Sequence, residues 1–113
     1  MSKTRNERIL YLSLKEKWFR MIVSGEKREE YREINDYWTR RLVVAGEDNL
    51  FGDGIEYVDF DYIEFTLGYP KADDTERRAR FRSGGISRSC GRPEWGAEPG
   101  KEYYVIKIGE RVR

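Results

Sequence analysis

The sequence predicts an α+β domain in which a mixed or antiparallel β-barrel has two helices packed at its side. Segments with helical spacing lie early in the chain, and segments that alternate as strands do follow them. Several such strands need a closed or nearly closed sheet to hide their edges. With 113 residues the chain has the length of one domain, so we expect a single domain over residues 1–113.

A strand and a helix open the fold. Ile9–Leu14 alternates leucines with Tyr11 and Ser13, which is the pattern of a strand. Residues 15–24 then change to helical spacing of their apolar side chains. Gly25 follows at the position where a left-handed residue commonly ends a helix. The first helix should therefore end at Gly25.

A short strand and a second helix come next. Residues 29–33 are short and can be extended. Asn35 or Asp36 can cap a helix that runs to about Val44, because both side chains accept hydrogen bonds from the first backbone N–H groups of a helix. Trp38 and Leu42 are four residues apart, which predicts them as the buried pair of this helix.

Strands dominate the rest of the chain. The segments that read as extended are residues 58–67, 77–82 and 103–108. The first of them changes phase near its middle, which indicates either a bulge or two separately paired pieces. Residues 83–100 contain five glycines and two prolines, and this composition predicts a long structured loop with room for a short strand at residues 86–89.

Missing residue types exclude several classes of site. The chain has no histidine and one cysteine, Cys90, which excludes Ser-His and Cys-His nucleophiles, a disulfide and a thiolate zinc site. The acids Asp53, Glu56, Asp59 and Asp61 lack the spacing of a calcium loop. We therefore expect no metal and no cofactor. Single-cysteine usage, no apolar run of membrane-spanning length and a polar start predict a cytoplasmic protein without a membrane partner.

The charges are balanced in number but not in position. The net charge is +1, yet residues 77–92 hold six arginines and no acid, while residues 47–64 hold seven acids and no base. A strand face of arginines can track phosphates; the alternative is that it pairs with these acids. The candidate nucleic-acid contacts are Arg78, Arg80, Arg82, Arg88 and Arg92. Trp95 lies in a loop of glycines and a proline, where it either walls a binding cleft or plugs one end of the barrel.

The segment with the most chemistry is Gly25–Arg32. If it is extended after the glycine, Glu30 and Arg32 share a face. Arg32 can bind a phosphate or carboxylate with its planar fork, and Lys27 can act as a point charge or, when desolvated, as a base. The alternative from spacing alone is a solvated turn.

The order of these residues resembles the G-x-K-x-x-E-x-R signature of the ASCH family, a branch of the PUA-like superfamily. Gly25, Lys27, Glu30 and Arg32 match its four fixed positions. The resemblance extends over about residues 9–44 and again over about residues 91–109. It implies a PUA-like β-barrel and a polar cleft, lined by Lys27, Glu30 and Arg32, that binds RNA or a nucleotide. Trp95 is a further ligand contact if its loop walls this cleft. We therefore expect a non-enzymatic RNA- or nucleotide-binding module.

The resemblance also implies an alternative, an amidohydrolase acting on a modified nucleoside such as N4-acetylcytidine. In a small bacterial group similar to this family, the catalytic lysine corresponds to Lys27, a threonine follows three residues later, and a glutamate lies on a later strand. This sequence has Glu30 in place of the threonine. If the chain is an enzyme, its catalytic residues would be Lys27 and Glu30, and either Glu64 or Glu94 would be the later glutamate.

Overall fold

The computed structural model describes residues 6–45 and 54–113. They divide into two compact units whose segments alternate along the chain. Unit 1 contains residues 6–28, 60–84 and 108–113, and unit 2 contains residues 29–45, 54–59 and 85–107. The single domain over residues 1–113 stays a prediction.

The chain forms an α+β fold, as the sequence predicted. Its elements are β1 (Ile9–Leu14), α1 (Glu16–Ser24), β2 (Glu29–Arg32), α2 (Asp36–Leu42), β3 (Val43–Ala45), β4 (Glu56–Tyr57), β5 (Tyr62–Leu67), β6 (Arg78–Cys90) and β7 (Glu102–Arg111). Five strands form a mixed sheet with the order β1-β5-β6-β7-β2, and β3 pairs with β4. A closed PUA-like barrel stays a prediction. No helix within the described ranges is long and apolar enough to cross a membrane.

In unit 1, β5 is the central strand. It pairs in parallel with β1 and antiparallel with β6. Ile63 and Phe65 are fully buried, and Phe65 packs edge-to-face on Phe81 with ring centroids 5.8 Å apart. Helix α1 lies against β5 and buries Phe19 and Ile22. Together with the buried leucines of β1, these side chains form the apolar core of the unit.

In unit 2, β2 and β7 form an antiparallel pair. Helix α2 begins after Asn35, whose side chain accepts a hydrogen bond from the backbone N–H of Trp38 at 2.9 Å. Leu42 is fully buried, and the hydroxyls of Thr39 and Tyr104 are 2.6 Å apart. The cap and the buried Leu42 confirm the second helix, which ends two residues earlier than Val44.

The loop predicted over residues 83–100 is wrong for residues 83–90, and the short strand allowed at residues 86–89 is part of a longer one. Strand β6 continues through these residues to Cys90, and only the part after Cys90 lies outside regular strands. Gly85 lies within β6 with φ 102°, a backbone conformation that glycine adopts without strain. The glycine therefore does not end the strand. Of the extended segment 58–67, only residues 62–67 form a strand, β5, and residues 58–61 lie outside regular strands. The change of phase marks the start of β5, whose pairings with β1 and β6 run without a bulge. The sequence also predicts a loop at residues 46–54, and of these only Gly54 is among the described residues.

Candidate functional site

Lys27 is buried in unit 1. Gly25 ends α1 with φ 89° and donates its N–H to the carbonyl of Ile22 at 3.1 Å. The N–H of Lys27 then bonds the carbonyl of Met21 at 3.0 Å. The Lys27 side chain is 1% exposed, and its Nζ lies 5.1 Å from the centre of the Trp18 ring. The left-handed glycine thus turns the chain so that a lysine two residues later points inward, over an aromatic face that attracts a cation.

Glu30 and Arg32 lie together in unit 2. Both are on β2, two residues apart and therefore on the same face, and their side chains form an ion pair. Arg32 Nη1 also donates to the carbonyl of Tyr31 at 2.8 Å, and the guanidinium carbon lies 5.2 Å from the centre of the Trp38 ring. Glu30 is 6% exposed. The result is a guanidinium held in a defined orientation between a carboxylate and an indole.

Tyr31 ties β2 to the loop that contains Trp95. Its hydroxyl donates to Glu29 at 2.8 Å and accepts from the backbone N–H of Arg92 at 3.0 Å. Burial raises the pKa of the Tyr31 hydroxyl to about 12, and the neighbouring Glu29 carboxylate acts in the same direction. Trp95 packs against the cluster that contains Tyr31, Ala97, Tyr103 and Val105. A role for Trp95 in ligand contact stays a prediction.

Arg78 and Arg80 are both paired with Glu64 in unit 1. Glu64 lies opposite Arg80 in the β5–β6 register. Arg80 Nη2 is 2.6 Å from Glu64 Oε1, and Arg78 Nη1 is 3.2 Å from Glu64 Oε2. The arginine side chains are 25% and 16% exposed for Arg78 and Arg80 respectively. Of the two roles that the sequence left open for these residues, pairing with an acid is the arrangement found.

The other three arginines of the predicted set are exposed. Arg82, next along β6 on the same strand face, is 57% exposed and lies 3.5 Å from Glu110. Arg88 is exposed at the far end of β6. Arg92 lies 5.0 Å from the Trp95 ring and 3.5 Å from Glu94. Their contact with a nucleic acid stays a prediction.

The two candidate later glutamates differ in environment. Glu64 is buried on β5, with a side chain that is 11% exposed, whereas Glu94 is 60% exposed in a short turn of 3-10 helix. Among the described residues, no three His, Cys, Asp or Glu side chains are grouped so that they could hold a metal ion.

Sequence reasoning did not find the partners of the charged residues. The sequence predicts Trp38 only as a buried residue of the second helix, and Trp18 is only one of the apolar residues with helical spacing in the first. Each ring lies near a cation of the Gly25–Arg32 segment. One signal was present for Glu64. It is the single acid in the otherwise uncharged strand Tyr62–Leu67, opposite a strand of alternating arginines.

Comparisons with known protein families, with curated proteins and with solved structures find no match to this chain.

Proposed function

We propose that the protein binds RNA or a nucleotide, with the Glu30–Arg32 pair as the centre of recognition. The observation that supports this most is the burial of charge in the Gly25–Arg32 segment. Among the described residues, the buried charged side chains are Lys27, Glu30 and Glu64, and two of them belong to this short segment. Burying a charge costs free energy, and such groups concentrate at functional sites.

The chemistry of the pair suits a nucleotide. A glutamate accepts hydrogen bonds from the amino group of cytosine, and an arginine binds phosphate or a base edge through its planar fork. Trp38 adds an aromatic ring beside Arg32, and aromatic rings and guanidinium planes are the surfaces on which unpaired bases stack. Exposed Arg88 and Arg92, which belong to the same unit as Arg32, would contact the phosphate backbone.

The test measures binding of a single-stranded RNA oligonucleotide and of cytidine 5′-monophosphate by titration calorimetry. We expect Arg32→Ala to weaken binding by about 10- to 100-fold, because a charge-assisted hydrogen bond contributes about 1.5–3 kcal/mol. Arg40→Ala is the matched control, because Arg40 is exposed on α2 in the same unit and its substitution removes the same charge. It should change affinity by less than about threefold.

The RNA titration is repeated at several salt concentrations. Each phosphate contact adds about −0.7 to the log–log slope of affinity against salt for a single strand. If Arg32→Ala lowers the melting temperature but leaves the affinity for RNA and nucleotide unchanged, Arg32 serves only to pair with Glu30 in the fold. That outcome contradicts the proposal, as does the absence of saturable binding to either ligand.

A second candidate function is hydrolysis of an N4-acylated cytidine. The burial of Lys27 favours it, because removal from water is one of the ways in which a lysine is activated as a base or nucleophile. Buried Glu64, in the same unit, is the stronger of the two candidate later glutamates.

Turnover of N4-acetylcytidine, followed by chromatography of released cytidine, tests this candidate. We expect Lys27→Met to reduce the rate by at least about 100-fold, since the loss of a general base costs about 10²–10⁴. Lys17→Met is the matched control, because Lys17 also lies near the Trp18 ring, at 4.7 Å, but is exposed. No turnover by the unmodified protein rules the hydrolase out and leaves the binding proposal standing.

A further inference from the structure

A cavity of about 320 Å³ opens in unit 1, in a region that the Gly25–Arg32 segment does not line. Sites for small molecules have volumes from about 300 Å³ upward, so this cavity can accept a ligand of the size of a sugar phosphate or a nucleoside monophosphate. Its polar lining residues, within the described chain, are Glu64, Thr75, Arg78, Arg80, Arg111 and Arg113.

The charges of this lining are not balanced. Arg80 approaches one oxygen of Glu64, and Arg78 approaches the other. A single carboxylate thus serves two guanidinium groups, which stay charged at every accessible pH. Arg111, exposed at the end of β7, brings a further positive charge to the rim. The cavity therefore has an excess of at least two positive charges over its one acidic side chain.

The guanidinium groups of the wall are fixed before any ligand binds. Arg78 Nη2 donates to the carbonyls of Pro70 and Lys71, each at 3.1 Å, in addition to its contact with Glu64. Arg80 Nε donates to Glu64 at 2.8 Å. An anion that binds here meets charges whose side-chain entropy has already been lost, and this preorganisation favours affinity. The hydroxyl of Thr75 can add a neutral donor.

We propose that this cavity binds a phosphomonoester dianion. Fixed guanidinium forks match the tetrahedral oxygens of a phosphate, and an excess of two positive charges matches the two negative charges of a monoester. Arg78 and Arg80 act here as the wall of a cavity that binds one anion, and not as part of a track for a nucleic-acid backbone. The inference does not rest on the proposed function, because it uses none of the residues of the Gly25–Arg32 segment.

The phosphate can come from free phosphate or from a nucleotide. Tyr69 lies in the turn whose next two carbonyls are held by Arg78, and its side chain is 93% exposed. Such a ring can stack a base whose phosphate occupies the cavity. If adenosine 5′-monophosphate binds more tightly than inorganic phosphate, and Tyr69→Ala removes this difference, the ligand of the cavity is a nucleotide. Equal affinities identify phosphate alone as the recognised group.

The experiment follows inorganic phosphate and adenosine 5′-monophosphate by ¹H–¹⁵N chemical-shift titration of the full chain. Arg111→Gln removes one charge from the cavity without disturbing the Glu64 pairs, and we expect it to weaken phosphate binding about five- to tenfold. Arg8→Gln is the matched control in the same unit, because Arg8 is exposed and does not line the cavity. The affinity of Arg8→Gln for phosphate should equal that of the unmodified protein.

Arg78→Lys provides a second variant that keeps the charge but removes the planar fork. We expect a loss of phosphate affinity comparable with that of Arg111→Gln, together with a folded spectrum. If neither ligand binds saturably, the proposal is overturned. It is also overturned if phosphate binds and both cavity variants bind it as tightly as Arg8→Gln does, because the anion would then occupy another surface.

Discussion

At the scale of single residues, Glu64 shows what the sequence could and could not predict. The alternation of residues 77–82 correctly placed three arginines on one strand face, and the acids before them were recognised as a possible counter-charge. The sequence singles out Glu64 only as the one acid of its strand, and the pairing itself depends on the register between β5 and β6. That register brings Glu64 directly opposite Arg80.

Glu64→Gln should lower the free energy of unfolding by about 2 kcal/mol. The amide keeps the size of the side chain but leaves Arg78 and Arg80 without a counter-charge. Breaking a fully buried ion pair costs about 3–5 kcal/mol, and the partial exposure of these arginines reduces the figure. Urea unfolding monitored by tryptophan fluorescence measures the change.

Glu110→Gln is the control for this variant. Glu110 is 76% exposed and lies 3.5 Å from Arg82, so its loss should cost less than about 0.5 kcal/mol. Equal destabilisation by the two variants would show that the Glu64 pairs contribute no more than a screened surface contact does.

At the scale of elements, local signals predicted the helices and failed for the longest strand. Asn35 and Gly25 determine helix ends through hydrogen bonds to residues a few positions away, so the sequence alone identifies them. β6 is different, because its glycines read as loop, while the strand is held by neighbours on both sides, β5 and β7, that lie elsewhere in the sequence. The order of its residues singled out the Gly25–Arg32 segment in the sequence. That order did not predict the burial of Lys27 against the Trp18 ring.

Two glycines should respond to substitution for different reasons. An added Cβ at Gly25 meets no atom within 4 Å, so Gly25→Ala costs only the strain of φ 89°, about 1–2 kcal/mol. At Gly91 the Cβ would lie 2.7 Å from both Ala97 Cβ and the Tyr31 ring, so Gly91→Ala costs about 1–3 kcal/mol through overpacking. Chemical denaturation measures both changes.

Rescue variants separate these causes. Gly25→Asn should be milder than Gly25→Ala, because asparagine tolerates the left-handed conformation better. Ala97→Gly should recover part of the stability lost in Gly91→Ala, because it removes one of the clashing atoms. A lack of recovery in either pair would contradict the cause assigned to that glycine.

At the scale of the whole molecule, the free energy of unfolding should fall in the alkaline pH range because Tyr31 ionises there. The tyrosine hydroxyl ionises near pH 10 in an unfolded chain, and its pKa in the fold is raised to about 12. The neutral phenol therefore contributes its full stabilisation below about pH 10, and this contribution is lost as the pH rises to about 12. By pH 11 the loss reaches about 1 kcal/mol relative to pH 9.

Tyr31→Phe should abolish that portion of the alkaline decrease, measured as the difference in unfolding free energy between pH 9 and pH 11. Tyr37→Phe is the matched control, since Tyr37 is 55% exposed in the same unit. It should retain the full decrease. An identical decrease in both variants would show that other groups cause the alkaline loss.

The alternation of the two units along the sequence has a consequence for synthesis. Unit 1 needs residues 6–28, 60–84 and 108–113, and unit 2 is built from the segments between them. On the ribosome, β1 and α1 emerge long before β5, the strand against which both lie. Their apolar faces therefore have no partner to pack against until β5 has been translated. We expect nascent chains that stop before residue 60 to depend on chaperones, because they expose Leu10, Leu12 and Ile22 without a partner.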